Sequence, residues 1–177
     1  MTAQRAPDVH SWFTRRKYAI ELAMLPYRRY RHAFEPGCSA GLLTELLTER
    51  CDRVTATDVD VAALNATDRR LQHAGRRGQV VLLHGSLDQP WPPGGFDLVV
   101  LSDVAYYLPA DVLRTVLDRE CPRLAANATV VAAHWRHPIP GLPMTGDHAT
   151  DVIGATPNLH VRASYRDPDL TIEVFGT

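Results

Sequence analysis

Lysine is almost missing from this chain. Lys17 is the single example, and arginine fills every other basic position. Cysteine is scarce as well: Cys38, Cys51 and Cys121 are odd in number and show no C-x-x-C spacing. That argues against a disulfide framework and against a zinc site, and it makes a reducing cytoplasm the expected compartment. No apolar run approaches the about 18–20 residues of a membrane span, and the N-terminus lacks the apolar stretch of a signal peptide. Charge of one sign is not in excess either. Lys and Arg number 19 against 20 Asp and Glu, a formal net charge of −1, so nothing global attracts nucleic acid or an anionic membrane. Repeats and low-complexity tracts are absent.

A length of 177 residues, 45% of them hydrophobic, suits one domain with a sizeable core. Residues 1–9 are expected to be a flexible N-terminus and 10–177 a single domain. The most informative stretch is His32–Gly41, HAFEPGCSAG. A short apolar run ends at Glu35, a turn carrying Gly37, Ser39 and Gly41 follows, and helix-forming sequence begins at Leu42. In such a strand–turn–helix unit, small residues let a ligand approach the backbone and the helix start offers free N–H groups. About twenty residues on, a second strand ends at Asp58, where a carboxylate can accept both hydroxyls of a ribose. The glycine spacing is not the G-x-G-x-x-G of a dinucleotide site, which argues against a nicotinamide oxidoreductase. Glu35 would repel phosphate but can accept hydrogen bonds from an ammonium or a hydroxyl. A nucleoside carrying an amino acid, S-adenosylmethionine, fits both acids. An ordinary turn would use the same glycines for conformation alone, and Asp58 in register separates the two readings.

The remaining pattern alternates helix and strand. A leading helix over 10–25 stops at Pro26. Strands are expected at Ala33–Glu35, Arg53–Thr57, Gln79–His84, Phe96–Ser102 and Thr129–His134, with helices at Leu42–Arg50, Val61–Ala74 and Pro109–Glu120. Asp60 suits an N-cap and Gly75 a C-cap. Gln79–His84 is continuously apolar, as in a strand buried on both faces. The Pro-rich Arg136–Met144 reads as a surface loop, and His160–Arg166 with Leu170–Phe175 as an antiparallel pair. The sum is an α/β fold: a Rossmann-like, doubly wound seven-stranded sheet with an antiparallel C-terminal hairpin and helices on both faces.

The blocks RKYAIELAMLPYRRYRHAFEPGCSAGLLTELLTERCD, ATDVD, WPPGGFDLVVLSDVAYYL and HWRHPIPGLPMTGD resemble class I S-adenosylmethionine-dependent methyltransferases, specifically the nodulation-type, NodS-like N-methyltransferases. The resemblance implies a cytoplasmic enzyme that uses S-adenosylmethionine, releases S-adenosylhomocysteine and methylates an amine on a small molecule. It also implies that the leading helix closes over the cofactor. Trp12 and Arg16 are then candidate contacts, Arg16 by pairing the ligand carboxylate. Ser86 and Leu87 would line the adenine. With Glu35, Gly37, Ser39, Gly41, Asp58, Val59 and Ser102, these form the expected cofactor set.

Methyl transfer aligns a nucleophile with an electrophilic carbon and desolvates it, and an amine must first lose its proton. His134, at the end of a strand and with a titration near neutrality, is the candidate base. Asp103 could orient the amine, and Tyr106 or Tyr107 could wall the pocket. Trp135, Arg136 and His137 would shape the acceptor side, with Asp147 on the loop after them. His134-x-x-His137 lacks a third ligand of suitable spacing, so no metal is expected. O-methylation, or a cofactor-binding protein with a non-methylating role, remains the alternative. The expected partners are a small-molecule acceptor, no nucleic acid and no membrane, with a monomer or homodimer.

Overall fold

The computed structural model describes residues 12–177, so the expected flexible N-terminus (1–9) and positions 10 and 11 of the leading helix lie outside the described residues. The chain runs α1 (Trp12–Met24), β1 (Tyr30–Pro36), α2 (Leu42–Leu47), β2 (Cys51–Asp58), α3 (Val61–His73), β3 (Val80–His84) and β4 (Leu98–Ser102). It continues through α4 (Ala110–Glu120), β5 (Thr129–Trp135), α5 (Gly146–Gly154), β6 (His160–Arg166) and β7 (Leu170–Gly176). The strands form one sheet in the order β3-β2-β1-β4-β5-β7-β6. β1 to β5 pair in parallel and β7 runs antiparallel to both β5 and β6. The order reverses between β1 and β4, and ligands of such sheets bind at the strand carboxyl ends beside that reversal.

Strand alternation sorts the core into two layers. Ala33, Leu98, Val100, Val131, Ala133, Ile172 and Val174 face Tyr18, Ile20 and Leu22 of α1, Leu43 and Leu47 of α2 and Leu71 of α3. Their sequence neighbours Phe34, Val99, Leu101, Val130, Ala132 and Phe175 face α4 and α5 on the other side. By this parity Glu35 and Ser102 belong to the α1 face and His134 to the α5 face. Asp97 locks β1 to the start of β4 by accepting the N–H groups of Arg31 (2.9 Å) and His32 (2.8 Å).

Two expectations need correction. β3 is not buried on both faces: it is the outermost strand, paired with β2 alone, and Val81 and Leu83 are 42% and 39% exposed. An apolar run reads alike in a central strand and at an edge, because the sequence does not record what lies beside it. Asp147 is not on a loop but in the first turn of α5, a helix whose glycine ends and β-branched Thr150, Val152 and Ile153 hide it from propensity. Its cap is local: the Thr145 hydroxyl accepts the His148 N–H at 3.2 Å. The expected N-cap of α3 is present, with Asp60 accepting the Ala62 N–H, while the C-cap is Ala74 and Gly75 follows it in the left-handed region at φ 67°.

The turn after β1 depends on its glycines. Gly37 and Gly41 both sit at φ 76°, and a Cβ on Gly41 would come within 2.7 Å of the Thr67 side chain and 2.9 Å of its Cα. Thr67 is fully buried and donates to Ser39 O at 2.9 Å, so α3 is seated directly on this turn. Gly75 shares the left-handed backbone, but a methyl group added there would meet nothing within 4 Å. Gly75→Ala is therefore expected to cost only the backbone term, about 1 kcal/mol, and Gly41→Ala clearly more, in denaturant unfolding. Equal losses would show that the Thr67 contact is readily relieved.

Candidate active site

The carboxyl ends of β1, β2 and β4 meet around the glycine turn. Gly37 and Cys38 donate to Thr57 O at 2.7 and 3.0 Å, tying the turn to the end of β2. Asp58 completes the tie: Oδ2 accepts the Ser39 N–H at 2.8 Å and Oδ1 the Asp60 N–H at 2.9 Å. Each oxygen keeps a lone pair, so the carboxylate can position the loop and still receive hydroxyls. Val59, just beyond, is 65% exposed. His84 Nε2 lies 3.1 Å from Val59 O and links this corner to the end of β3.

Glu35 lies deeper, at the base of the turn. Only 2% of it is exposed, and its Oε2 has no hydrogen-bond partner. Burial pushes its carboxyl up to about 8, against a lowering by Thr44 and with help from the charges of Glu21 and Asp58. A carboxyl desolvated in this way is suited to a cationic partner. An ammonium fits it and a phosphate does not.

The tip of β4 carries a buried ionic cluster that the composition does not announce. Lys17 of α1 is 3% exposed and donates to Asp103 Oδ2, with Glu21 Oε1 3.7 Å away. Burial alone would lower the Lys17 ammonium, but Asp103 and Glu21 more than reverse that, so it stays charged. Asp103 sits at φ 50° and its Oδ1 accepts the Trp135 N–H at 2.8 Å. Burial would raise Asp103, yet Lys17 and this N–H hold it below the usual carboxylate range. Ser102 donates to Glu21 Oε1 at 3.0 Å. Burial raises Glu21 to about 7.

His134 is fully buried on the α5 face, its ring 5.4 Å from Tyr106. Thr150 gives its proton to Gly146 O (2.9 Å) and lies 3.1 Å from Nδ1, so Nδ1 carries the proton and Nε2 is left without a partner. Burial pushes the imidazole down to about 4. This lies below the expected titration near neutrality, because burial, with the charge of Lys17, outweighs the raising effect of Asp103. Of the two tyrosines, Tyr106 is buried, with its phenol pushed far up by burial and Asp103, and Tyr107 is half-exposed.

Elsewhere the expected residues are engaged within the protein. Arg16 pairs with Asp167 at 2.7 Å and donates to Tyr165, while its guanidinium lies 5.6 Å from the Trp12 ring. Trp12 itself is 70% exposed. Arg136 grips Asp147 through two bonds of 2.9 and 3.0 Å, and Arg166 joins the same carboxylate at 2.6 Å. His137 bonds Asp169 at 2.7 Å and lies tilted against Trp135, so it shares no site with His134. Leu87 packs in the core with Trp91, and the Ser86 N–H donates to Gln89 Oε1 at 3.2 Å. Among the described residues no three His, Cys, Asp or Glu side chains converge on a metal position, and no helix is long and apolar enough to cross a membrane. Sequence reasoning missed Lys17, Glu21 and Thr44. The signal available was a lone lysine with a glutamate one helical turn on, in line with Thr14 on the same helix face.

A doubly wound sheet with an acid near the end of β1, an acid at the end of β2 and a left-handed glycine turn between them has the arrangement of a Rossmann-like nucleoside-binding domain. The methyltransferase domain family matches residues 34–127, and the chain belongs to that family. It is 35% identical over 97 residues to nodulation protein S of Rhizobium tropici, covering 54% of this chain and 40% of that protein. The chain thus spans less than half the length of such curated relatives. A crystal structure from Pseudomonas syringae assigned as a methyltransferase is 30% identical, covers 94% of this chain and 100% of its own, and superposes with a TM-score of 0.81. The N-methyltransferase NodS of Bradyrhizobium japonicum shares the fold, with 23% identity, a TM-score of 0.83 and coverage of 96% and 98%.

The raised Glu35 carboxyl has a sign that can be checked. Its folded value lies above its unfolded one, so its contribution is present below the ordinary carboxylate range and lost as pH rises towards about 8. Glu35→Gln mimics the neutral form. The stability of the variant relative to wild type is expected to climb between about pH 5 and 9 by a few kcal/mol, read from thermal or denaturant unfolding. A difference independent of pH would mean that Glu35 is ionised throughout.

Proposed function

We propose that this chain is an S-adenosylmethionine-dependent methyltransferase acting on the nitrogen of an amine in a small molecule. One observation carries the reading. A buried carboxyl with an unpartnered oxygen, Glu35, and a loop-anchored carboxylate, Asp58, flank the same glycine turn. Their separation of character matches the two ends of an adenosyl amino acid: ammonium at one and ribose hydroxyls at the other. Support for nitrogen as the acceptor comes from the shared fold with NodS, an N-methyltransferase solved with S-adenosylhomocysteine. The net charge of −1 supports a small molecule over nucleic acid.

Bound there, S-adenosylmethionine would supply an electrophilic sulfonium methyl, the N–C bond forming as the C–S bond breaks and S-adenosylhomocysteine leaving with the bonding pair. The residues of the chain then have separable tasks. Asp58 holds the ribose edge while fixing Ser39. The backbone of the Gly37 to Gly41 turn takes the adenosyl body, with Val59 and Ser86 on the base side, while Leu87 packs into the core behind them. Trp12 and Tyr107 offer the exposed aromatic faces near the cleft, and Arg16 joins them through its place beside Trp12. Asp103, Tyr106 and Ser102 form the wall at the end of β4. His134, neutral at working pH and packed behind Tyr106, serves as a positioning residue, since a ring titrating near 4 is a poor acceptor for an ammonium proton.

Asp58→Ala is expected to weaken S-adenosylhomocysteine binding by about 1–3 kcal/mol in calorimetry, through loss of charge-assisted bonds. Unchanged affinity would remove Asp58 from the site. Radiolabelled methyl transfer to a panel of amines tests the reaction itself, and tight cofactor binding with transfer to none would overturn it. With two acceptors of different basicity, the acidic limb of kcat/KM should follow the pKa of each amine. A fixed limb near pH 6.5 would restore His134 as the base.

A further inference from the structure

Three side-chain oxygens beneath α1 are buried without partners: Glu21 Oε2, Glu35 Oε2 and Thr44 Oγ1. They come from three different elements. Strand parity puts Glu35 and Ser102 on the same face of adjacent strands, β1 and β4, and Ser102 holds Glu21 by its other oxygen at 3.0 Å. Thr44 lies beside Glu35, and Glu21 is close enough that its charge acts on Glu35. Glu21, Glu35 and Thr44 are 2%, 2% and 0% exposed, so bulk water does not satisfy them.

The remaining partners are already committed. Lys17 gives its short bond to Asp103 and stands 3.7 Å from Glu21 Oε1, the oxygen that Ser102 also holds. Thr44 can turn its proton towards Glu35, but Glu21 Oε2 and Glu35 Oε2 stay buried acceptors without a donor, a deficit that a donor-rich cation between them would remove. An ammonium has three donors and one positive charge, enough to reach both carboxyl oxygens and the lone pairs of the Thr44 hydroxyl.

We propose that Glu21 of α1 is a binding residue, which together with Glu35 and Thr44 receives the ammonium of the adenosyl amino acid. The proposal rests on the cofactor reading above and adds to it a ligand from the leading helix. α1 would then hold the cofactor through a charged group within the core, whereas Arg16, committed to Asp167, holds the helix to the β6–β7 turn. The arrangement also gives specificity. Adenosyl thioethers that lack the amino acid would leave both carboxyls unpaired.

The test compares two ligands by calorimetry at one fixed pH: S-adenosylhomocysteine, and 5′-methylthioadenosine, which keeps the adenosyl thioether but has no amino acid. Glu21→Gln is expected to weaken S-adenosylhomocysteine about tenfold or more, the scale of a hydrogen bond to a charged group, and to leave 5′-methylthioadenosine within about twofold. Equal losses for both ligands, or no loss for either, would overturn the assignment of Glu21. Wild type that binds neither ligand would sink the cofactor reading instead, so the two failures are distinct. If Glu21→Gln does not fold, Glu21→Asp keeps the charge and shortens its reach, and the same selective loss is expected. A crystal structure of the complex with only water between the two carboxyls would also reject the proposal.

Discussion

The site depends on one ion pair, the buried Lys17 with the partly buried Asp103. It joins the leading helix to the turn after β4, and everything proposed for the cleft needs that helix in place. The pair is costly to bury and is stabilised by company: Glu21 beside the ammonium, and the Trp135 N–H on the free oxygen of Asp103. Removal of either partner would strand a charge inside the protein. The pair determines which face of α1 meets the sheet, and so brings Glu21 over Ser102.

Opposite faces of the sheet separate the functions. On the α1 face, buried carboxyls are held towards their neutral forms by desolvation and mutual repulsion. On the α5 face, His134 is held neutral by the same desolvation acting on the opposite charge type. Burial thus raises Glu35 and lowers His134, and both end without charge at neutral pH. The charges that remain near the cleft are Lys17 and Asp103, which neutralise each other, and Asp58 at the rim. Such a pocket favours a ligand with one cationic and one hydroxyl-rich end.

The acceptor side is built differently. Arg136, Arg166 and Asp147 form a surface ion network across the ends of β5 and β6 and the start of α5, and His137 bonds Asp169 nearby. These groups brace one another rather than reach into the cleft. Exposed pairs of this kind contribute little each, and here their use is to hold the Pro-rich loop and the β6–β7 turn in register. The half-exposed Tyr107 and the exposed Trp12 are left as the apolar surfaces an acceptor could meet.

Local chemistry alone was enough for much of this. The FEPGCSAG turn, Asp58 one strand later, the caps at Asp60 and Gly75 and the antiparallel ending are written in residues close together along the chain. Backbone conformation and hydrogen-bond capacity act over that same short range. What lay beyond it was burial and facing. Whether VVLLH is a central or an edge strand depends on neighbours in space, as does the fate of His134, which propensity and position made a plausible base and which desolvation makes a poor one. The same holds for Lys17 and Glu21: a charged pair on a helix usually points to solvent, and only the docking of α1 on β4 turned this one inward. Charge and proton affinity are properties of the assembled environment, and the sheet, not the order of residues, supplied that environment.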